Sequence, residues 1–272
     1  MKTESSVVEV EAAEGIAVVT LNRPNHLNAL SAELRQRFCQ VFASIGKDSE
    51  IQAIVLTGAG RAFTAGLDLK ELGGEKPASG IAAPNPAAAT TKAAIAERDL
   101  AAAMLAVPQP IIGAINGFAI TGGFEIALLC DFLIAGTSAR FADTHARVGV
   151  VPGWGLSQRL PRLIGINRAK ELSLTGNFLS AHKACDWGLV NRVVPDVELI
   201  DTCRSLARDI VSTDPATRRE ILRIMDEGWH TTLSEGLKIE QQANLAHAKA
   251  EVRADKVAER RAAIQARGRE FE

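Results

Sequence analysis

The chain predicts an α/β fold, with an α/β core over residues 1–195 and an α-helical C-terminal region over 196–272. Three observations carry this. Strand-like and helix-like segments alternate up to about Val194, and the pattern beyond is helical. Two short apolar runs, AIVLTG and PIIGAIN, are each followed closely by a glycine-containing turn. A length of 272 residues with 47% hydrophobic content is ample for one large packed core.

The elements follow in order. VVEVEAAEGIAVVTLN (7–22) alternates and turns at Glu14-Gly15, which predicts a β-hairpin. Ser31 can cap a helix whose apolar positions, Leu34, Phe38, Val41 or Phe42 and Ile45, recur at helical spacing. AIVLTG (53–58) reads as a buried strand. The Pro-, Ala- and Gly-rich stretch at 74–94 reads as a loop and candidate lid, before a helix over about 95–106. PIIGAIN (110–116) is a buried strand, FEIALLC (124–130) opens a helix, and FLIAG (132–136) is a further strand. In the C-terminal region Pro215 is placed to start a helix, and 231–250 and 252–270 are Ala-rich amphipathic segments.

Composition excludes several classes. Lys and Arg total 31 against 32 Asp and Glu, so no global charge attracts nucleic acid or an anionic membrane. Cys39, Cys130, Cys185 and Cys203 are scattered without CxxC spacing, which predicts reduced thiols and a cytoplasmic protein with no disulfide framework or metal site. No apolar signal segment opens the chain, and no 18 apolar residues run together, so neither secretion nor a membrane span is expected. Phosphate-loop, HExxH and GxSxG patterns are missing, and LTGAGRAF places Phe63 where a dinucleotide fingerprint needs its third glycine.

Two turns remain, RAFTAGLDL (61–69) and NGFAITGGFE (116–125). Ala65, Gly66, Gly122 and Gly123 have little or no side chain, so a ligand can approach the backbone closely. Two N–H groups converging there would stabilise an oxyanion. Each turn alone is also what ordinary strand-to-helix packing would use. Glu125, a carboxylate inside an apolar run next to the second turn, tips the pair toward chemistry, because burying such a group is costly unless it is compensated.

NRPNHLNAL (22–30), AIVLTGAGRAFTAGLDLKEL (53–72), PIIGAINGFAITGGFEIALLCDFLIA (110–135), FADTHARVGVVPGWGLSQRLPRLIG (141–165) and LTGNFLSAHKACDWGLVNRVV (174–194) together resemble the crotonase, or enoyl-CoA hydratase/isomerase, family. The resemblance implies a spiral of ββα units with a C-terminal helical region that drives assembly into a homotrimer or homohexamer. It implies an acyl-CoA thioester substrate, coenzyme A being part of that substrate, and no separate cofactor. Ala65 and Gly122 are matched to the N–H donors for the thioester carbonyl. Gly66, Leu67 and Asp68 would line the same segment, and Leu27 and Ala29 match positions whose backbone helps hold coenzyme A. Asp68 also reads simply as a helix N-terminal acid.

Glu125 matches one of the family's two acid/base carboxylates. At the second position the chain departs from the pattern, because His145 stands where hydratases of the family carry Glu. A histidine can also give and take a proton near neutral pH. Asp143 either holds its imidazole or points away. Three readings follow: hydration of a 2-enoyl-CoA using Glu125 and His145, one-base isomerisation using Glu125 alone, and a catalytically quiet acyl-CoA binder. Trp154 and Trp187 stand where they could wall a pocket and are assigned no role.

Overall fold

The computed structural model describes residues 6–72, 99–251 and 254–269; the candidate lid at 74–94 and residues 95–98 of the helix expected after it lie outside them. The hairpin forms from β1 (Val8–Ala13) and β2 (Ile16–Leu21), with Ala13 facing Ile16. Glu14 and Gly15 have φ of 54° and 77°, the paired left-handed turn that matches the twist of a two-residue hairpin. Helix α1 (Ala32–Ile45) starts at Ser31, whose hydroxyl accepts the Leu34 N–H at 3.2 Å. Its predicted stripe of Leu34, Phe38, Val41, Phe42 and Ile45 is buried.

Three strand–strand–helix coils then follow one another. The first is β3 (Ala53–Gly58), β4 (Ala62–Thr64) and α2 (Leu69–Leu72). Helix α3 (Leu100–Leu105) precedes the second, which is β5 (Ile111–Ile115), β6 (Phe118–Ile120) and α4 (Gly122–Ala127). The third is β7 (Phe132–Gly136), β8 (Arg140–Ala142) and α5 (His145–Val148). β3, β5 and β7 are parallel neighbours in one sheet, and β4, β6 and β8 are parallel neighbours in the other. Each coil therefore stacks on the one before it. Adjacent strands lie about 4.8 Å apart, so the turns leaving β4, β6 and β8 emerge side by side.

Helices α6 (Leu156–Ile164), α7 (Ile166–Thr175) and α8 (Ala181–Asp186) and the short β9 (Leu179–Ser180) close the second sheet, with β9 antiparallel to β8. β10 (Arg192–Val194) joins β7 and completes the six-stranded sheet in the order β1-β2-β3-β5-β7-β10. One face of that sheet belongs to the main core; the other presents Ile16, Val18, Val55, Ile112 and Ile134. Helix α9 (Leu199–Val211) covers this second face with Leu199, Cys203 and Ala207. The first compact unit accordingly runs to Ser212, beyond the boundary expected at 195, because the sheet needs α9 as a cover. The second unit, Thr213–Glu272, holds α10 (Pro215–Trp229), α11 (Leu233–Glu251) and α12 (Ala254–Arg269). Asp214 caps α10 by accepting the Thr217 N–H at 2.9 Å, with Pro215 in the first turn as predicted. Among the described residues no helix is long and apolar enough to cross a membrane.

Candidate active site

The turns after β4 and β6 touch. Gly66 has φ of 86°, and a Cβ on it would lie 2.7 Å from the Ile120 carbonyl oxygen and 3.0 Å from the Gly122 nitrogen, so only glycine lets the two backbones meet. Gly123 has the same close approach on the other side, where a Cβ would fall 2.1 Å from the Thr64 carbonyl oxygen. Gly122 opens α4, so its N–H has no acceptor within the helix.

The Ala65 N–H behaves differently from the expectation placed on it. It donates to the Leu27 carbonyl at 3.0 Å and is already committed inside the fold. The Gly66 N–H is committed as well, donating to the Thr64 hydroxyl oxygen at 3.2 Å, so the next donor to consider is the N–H of Leu67. Leu30 forms a parallel bridge with Leu67 by donating to the Gly66 carbonyl at 2.8 Å. In that pattern the facing residue's own N–H points away from the bridging strand. Among the described residues no hydrogen bond takes the N–H of Leu67 or of Gly122.

Asn28 ties the Leu27 turn to this segment. Its side chain is fully buried, and its amide shares its hydrogens among the carbonyls of Ala59, Ala62 and Phe63 at 2.9, 2.8 and 3.2 Å. Its Oδ1 accepts the Arg23 N–H at 2.8 Å, and its backbone carbonyl accepts the Thr64 hydroxyl at 2.8 Å. Leu27, the residue before it, and Asn28 itself are both in the left-handed region, with φ of 51° and 53°. Ala29 presents its carbonyl to Arg23 Nη1 at 2.6 Å. Asp68 pairs with the same guanidinium at 3.2 Å, and its Oδ1 accepts the Lys70 N–H at 3.2 Å at the start of α2. The helix-terminal role of Asp68 is thus present, and Asp68 also fastens Arg23 across the Ala29 turn.

Glu125 and His145 come together from the second and third coils. Glu125 is 2% exposed, and its Oε1 accepts two backbone N–H groups, from Trp154 at 2.7 Å and Leu156 at 3.3 Å. Its Oε2 faces His145 Nε2 at 3.4 Å. Asp143 holds the opposite side of the imidazole, with Oδ1 2.6 Å from Nδ1, and also accepts the His145 backbone N–H at 3.2 Å. The three groups form a line, Asp143–His145–Glu125. Burial opposes a charged imidazole, but the contacts with Asp143 and Glu125 outweigh it and raise the His145 pKa to about 9. Burial pushes the Asp143 carboxyl the opposite way, and hydrogen bonds from His145 and Ser173 prevail to hold it below its ordinary value. At neutral pH the His145 ring carries a proton on each nitrogen.

Two further features were not legible in the sequence. Thr121, immediately before Gly122, has φ of 53° and ψ of −115°, an uncommon conformation for a β-branched residue. A short hydrogen bond joins its hydroxyl to that of Thr144, the residue before His145. Trp154 stands over Gly122 and donates its indole N–H to Asp99 Oδ2 at 3.1 Å. Trp187 lies elsewhere, with Arg168 and Lys183 over its ring at 5.1 and 4.8 Å. Among the described residues no group of three or more His, Cys, Asp or Glu is disposed to hold a metal ion.

The sequence model of the enoyl-CoA hydratase/isomerase family matches residues 11–263. The chain belongs to this family. Within the enoyl-CoA hydratase/isomerase family it is similar to a protein of Arabidopsis thaliana named "Probable enoyl-CoA hydratase 1, peroxisomal", at 38% identity over 240 residues, 88% of this chain and 86% of the relative. Among solved structures it is similar to an enoyl-CoA hydratase from Mycobacterium tuberculosis H37Rv, at 41% identity and TM-score 0.70 over 88% of this chain and 98% of that one. An enoyl-CoA hydratase from Bacillus anthracis superposes with TM-score 0.78 at 35% identity, covering 90% of this chain and 92% of the other. The predicted family and its ββα fold are borne out.

Proposed function

We propose that this member of the family hydrates 2-enoyl-CoA thioesters to 3-hydroxyacyl-CoA, using Glu125 and His145 as its acid/base pair. The observation that carries the reading is the Glu125 Oε2 to His145 Nε2 approach at 3.4 Å, each group fixed from behind by its own hydrogen bonds. The N–H groups of Leu67 and Gly122 hold the thioester oxygen, Leu67 taking the place expected of Ala65. Glu125 removes a proton from water as the water oxygen bonds to C3. The π pair of the C2–C3 double bond moves toward the thioester, and the oxygen held by the two N–H groups carries the enolate charge. His145 delivers its proton to C2. Glu125 then returns a proton to His145 across their shared contact, so one water is added and both groups are restored. Coenzyme A enters as part of the substrate, with Leu27 and Ala29 on its side of the turn, and no other cofactor takes part.

The test follows crotonyl-CoA by loss of its conjugated absorbance, with the product identified by mass as 3-hydroxybutyryl-CoA. Glu125→Gln is expected to lower turnover at least about a hundredfold while acyl-CoA binding stays nearly intact. A wild-type protein that binds crotonyl-CoA and does not hydrate it refutes the proposal. The C-terminal unit also carries exposed apolar residues, among them Ile221, Met225, Trp229, Leu233 and Leu237. This supports assembly into a homotrimer or homohexamer, which light scattering on a sizing column would measure.

A further inference from the structure

Trp154 carries a side chain that the hydration chemistry does not need. The N–H that holds Glu125 belongs to its backbone, and any residue except proline would supply it. Yet the indole is fixed at two points. A Cβ built on Gly122 would meet the ring at Cζ3 at 3.0 Å, so the ring lies against the backbone of the oxyanion turn. At its other end the indole N–H donates to Asp99 Oδ2 at 3.1 Å. Asp99 is itself anchored, because its Oδ1 accepts the Ala102 N–H at 2.8 Å and caps α3. The ring is half-buried and packs against the main core.

We infer that Trp154 is a specificity-determining residue that restricts the substrate to short 2-enoyl chains of about four carbons. The inference rests on the hydratase reading for where the reacting atoms lie: the thioester oxygen at Gly122, and C2 and C3 beside Glu125. The backbone N–H of Trp154 holds Glu125 while its ring lies against Gly122, so the side chain leaves the backbone beside C3, where the remainder of an acyl chain begins, and covers the oxyanion turn. A longer chain must displace the ring, and displacement breaks the bond to Asp99. The indole face offers a flat apolar surface against which a terminal methyl packs.

The experiment compares kcat/KM for a series of trans-2-enoyl-CoAs from four to ten carbons, and calorimetric affinities for butyryl-CoA and decanoyl-CoA, in wild type, Trp154→Ala and Trp154→Phe. Wild type is expected to favour the four-carbon member in both measurements. Trp154→Ala should move the ten-to-four-carbon ratio by at least about tenfold toward the longer chain, with Trp154→Phe in between, the scale that a few buried methylenes provide. A ratio in folded Trp154→Ala that stays within about threefold of wild type overturns the inference, as does a wild type that binds decanoyl-CoA as tightly as butyryl-CoA. If Trp154→Ala does not fold, Trp154→Phe decides by the same ratio. Should no enoyl-CoA be turned over by wild type, the hydratase reading fails, and the affinities for the two saturated thioesters still decide the role of Trp154.

Discussion

Asp143→Asn changes one charge and almost no volume, and it isolates what holds the proton on His145. Asp143 and His145 are 1% and 6% exposed, and their side chains meet at 2.6 Å. The asparagine oxygen can still accept from Nδ1, so the ring keeps its orientation while losing the negative charge beside it. A hydrogen bond to a charged partner is worth about 1.5–3 kcal/mol, which corresponds to about one to two pH units. The His145 pKa should therefore fall from about 9 to between about 7 and 8. In the proposed hydration His145 is the acid, so the alkaline limb of kcat/KM for crotonyl-CoA marks its deprotonation and should move down with it. With a limb near 7.5, kcat/KM at pH 8.5 drops about eightfold relative to wild type, while the same cause changes little at pH 6.5. The assay is kcat/KM from pH 6 to 10 on both proteins, with the imidazole titration followed by NMR. A variant whose limb and NMR titration both coincide with wild type would falsify the role given to Asp143.

Three other outcomes are expected. Replacing the Leu67 amide by an ester, through incorporation of the corresponding α-hydroxy acid, should lower kcat about a hundredfold or more by deleting one oxyanion donor. The same change at Ala65 should mainly cost stability, since that N–H serves Leu27; the reverse pattern returns the donor role to Ala65. The pKa of His145 is raised on folding, so its contribution is complete below about pH 6.5 and is lost as pH rises through about 9. Urea unfolding of wild type and His145→Ala should show that difference shrinking by about 3 kcal/mol across this window, and a constant difference would contradict the raised value.

The hairpin, α1 and the buried strands β3, β5 and β7 were readable because each is long enough to show its period. β4, β6 and β8 have three residues each, too few for any alternation to register, and they are the strands that line up the site. Glu125 stood out as a carboxylate in an apolar run. Its partner His145 was named only through the family resemblance, because twenty residues and a change of coil separate the two and no pattern in the residues themselves joins them. The choice between Ala65 and Leu67 turns on Gly66, whose φ of 86° reverses the direction of successive N–H groups; residue type says nothing of that. Helix α9 has an apolar face like many others, and only the bare side of the sheet reveals that it belongs to the first unit.

Asn28 commits its amide hydrogens to the carbonyls of Ala59, Ala62 and Phe63, in the segment leading to the proposed first oxyanion donor, and its Oδ1 to the Arg23 N–H of its own turn, which in the proposed reading faces coenzyme A. Substitution there removes folding contacts first. In a cell the result is less protein, since one or two kcal/mol changes abundance several-fold under continuous quality control. A survey that scores variants by growth would rank Asn28 beside Glu125. The two separate only when activity is counted per folded molecule: an Asn28 variant that survives purification should keep most of its rate, whereas Glu125→Gln should accumulate normally and lose at least about a hundredfold in turnover.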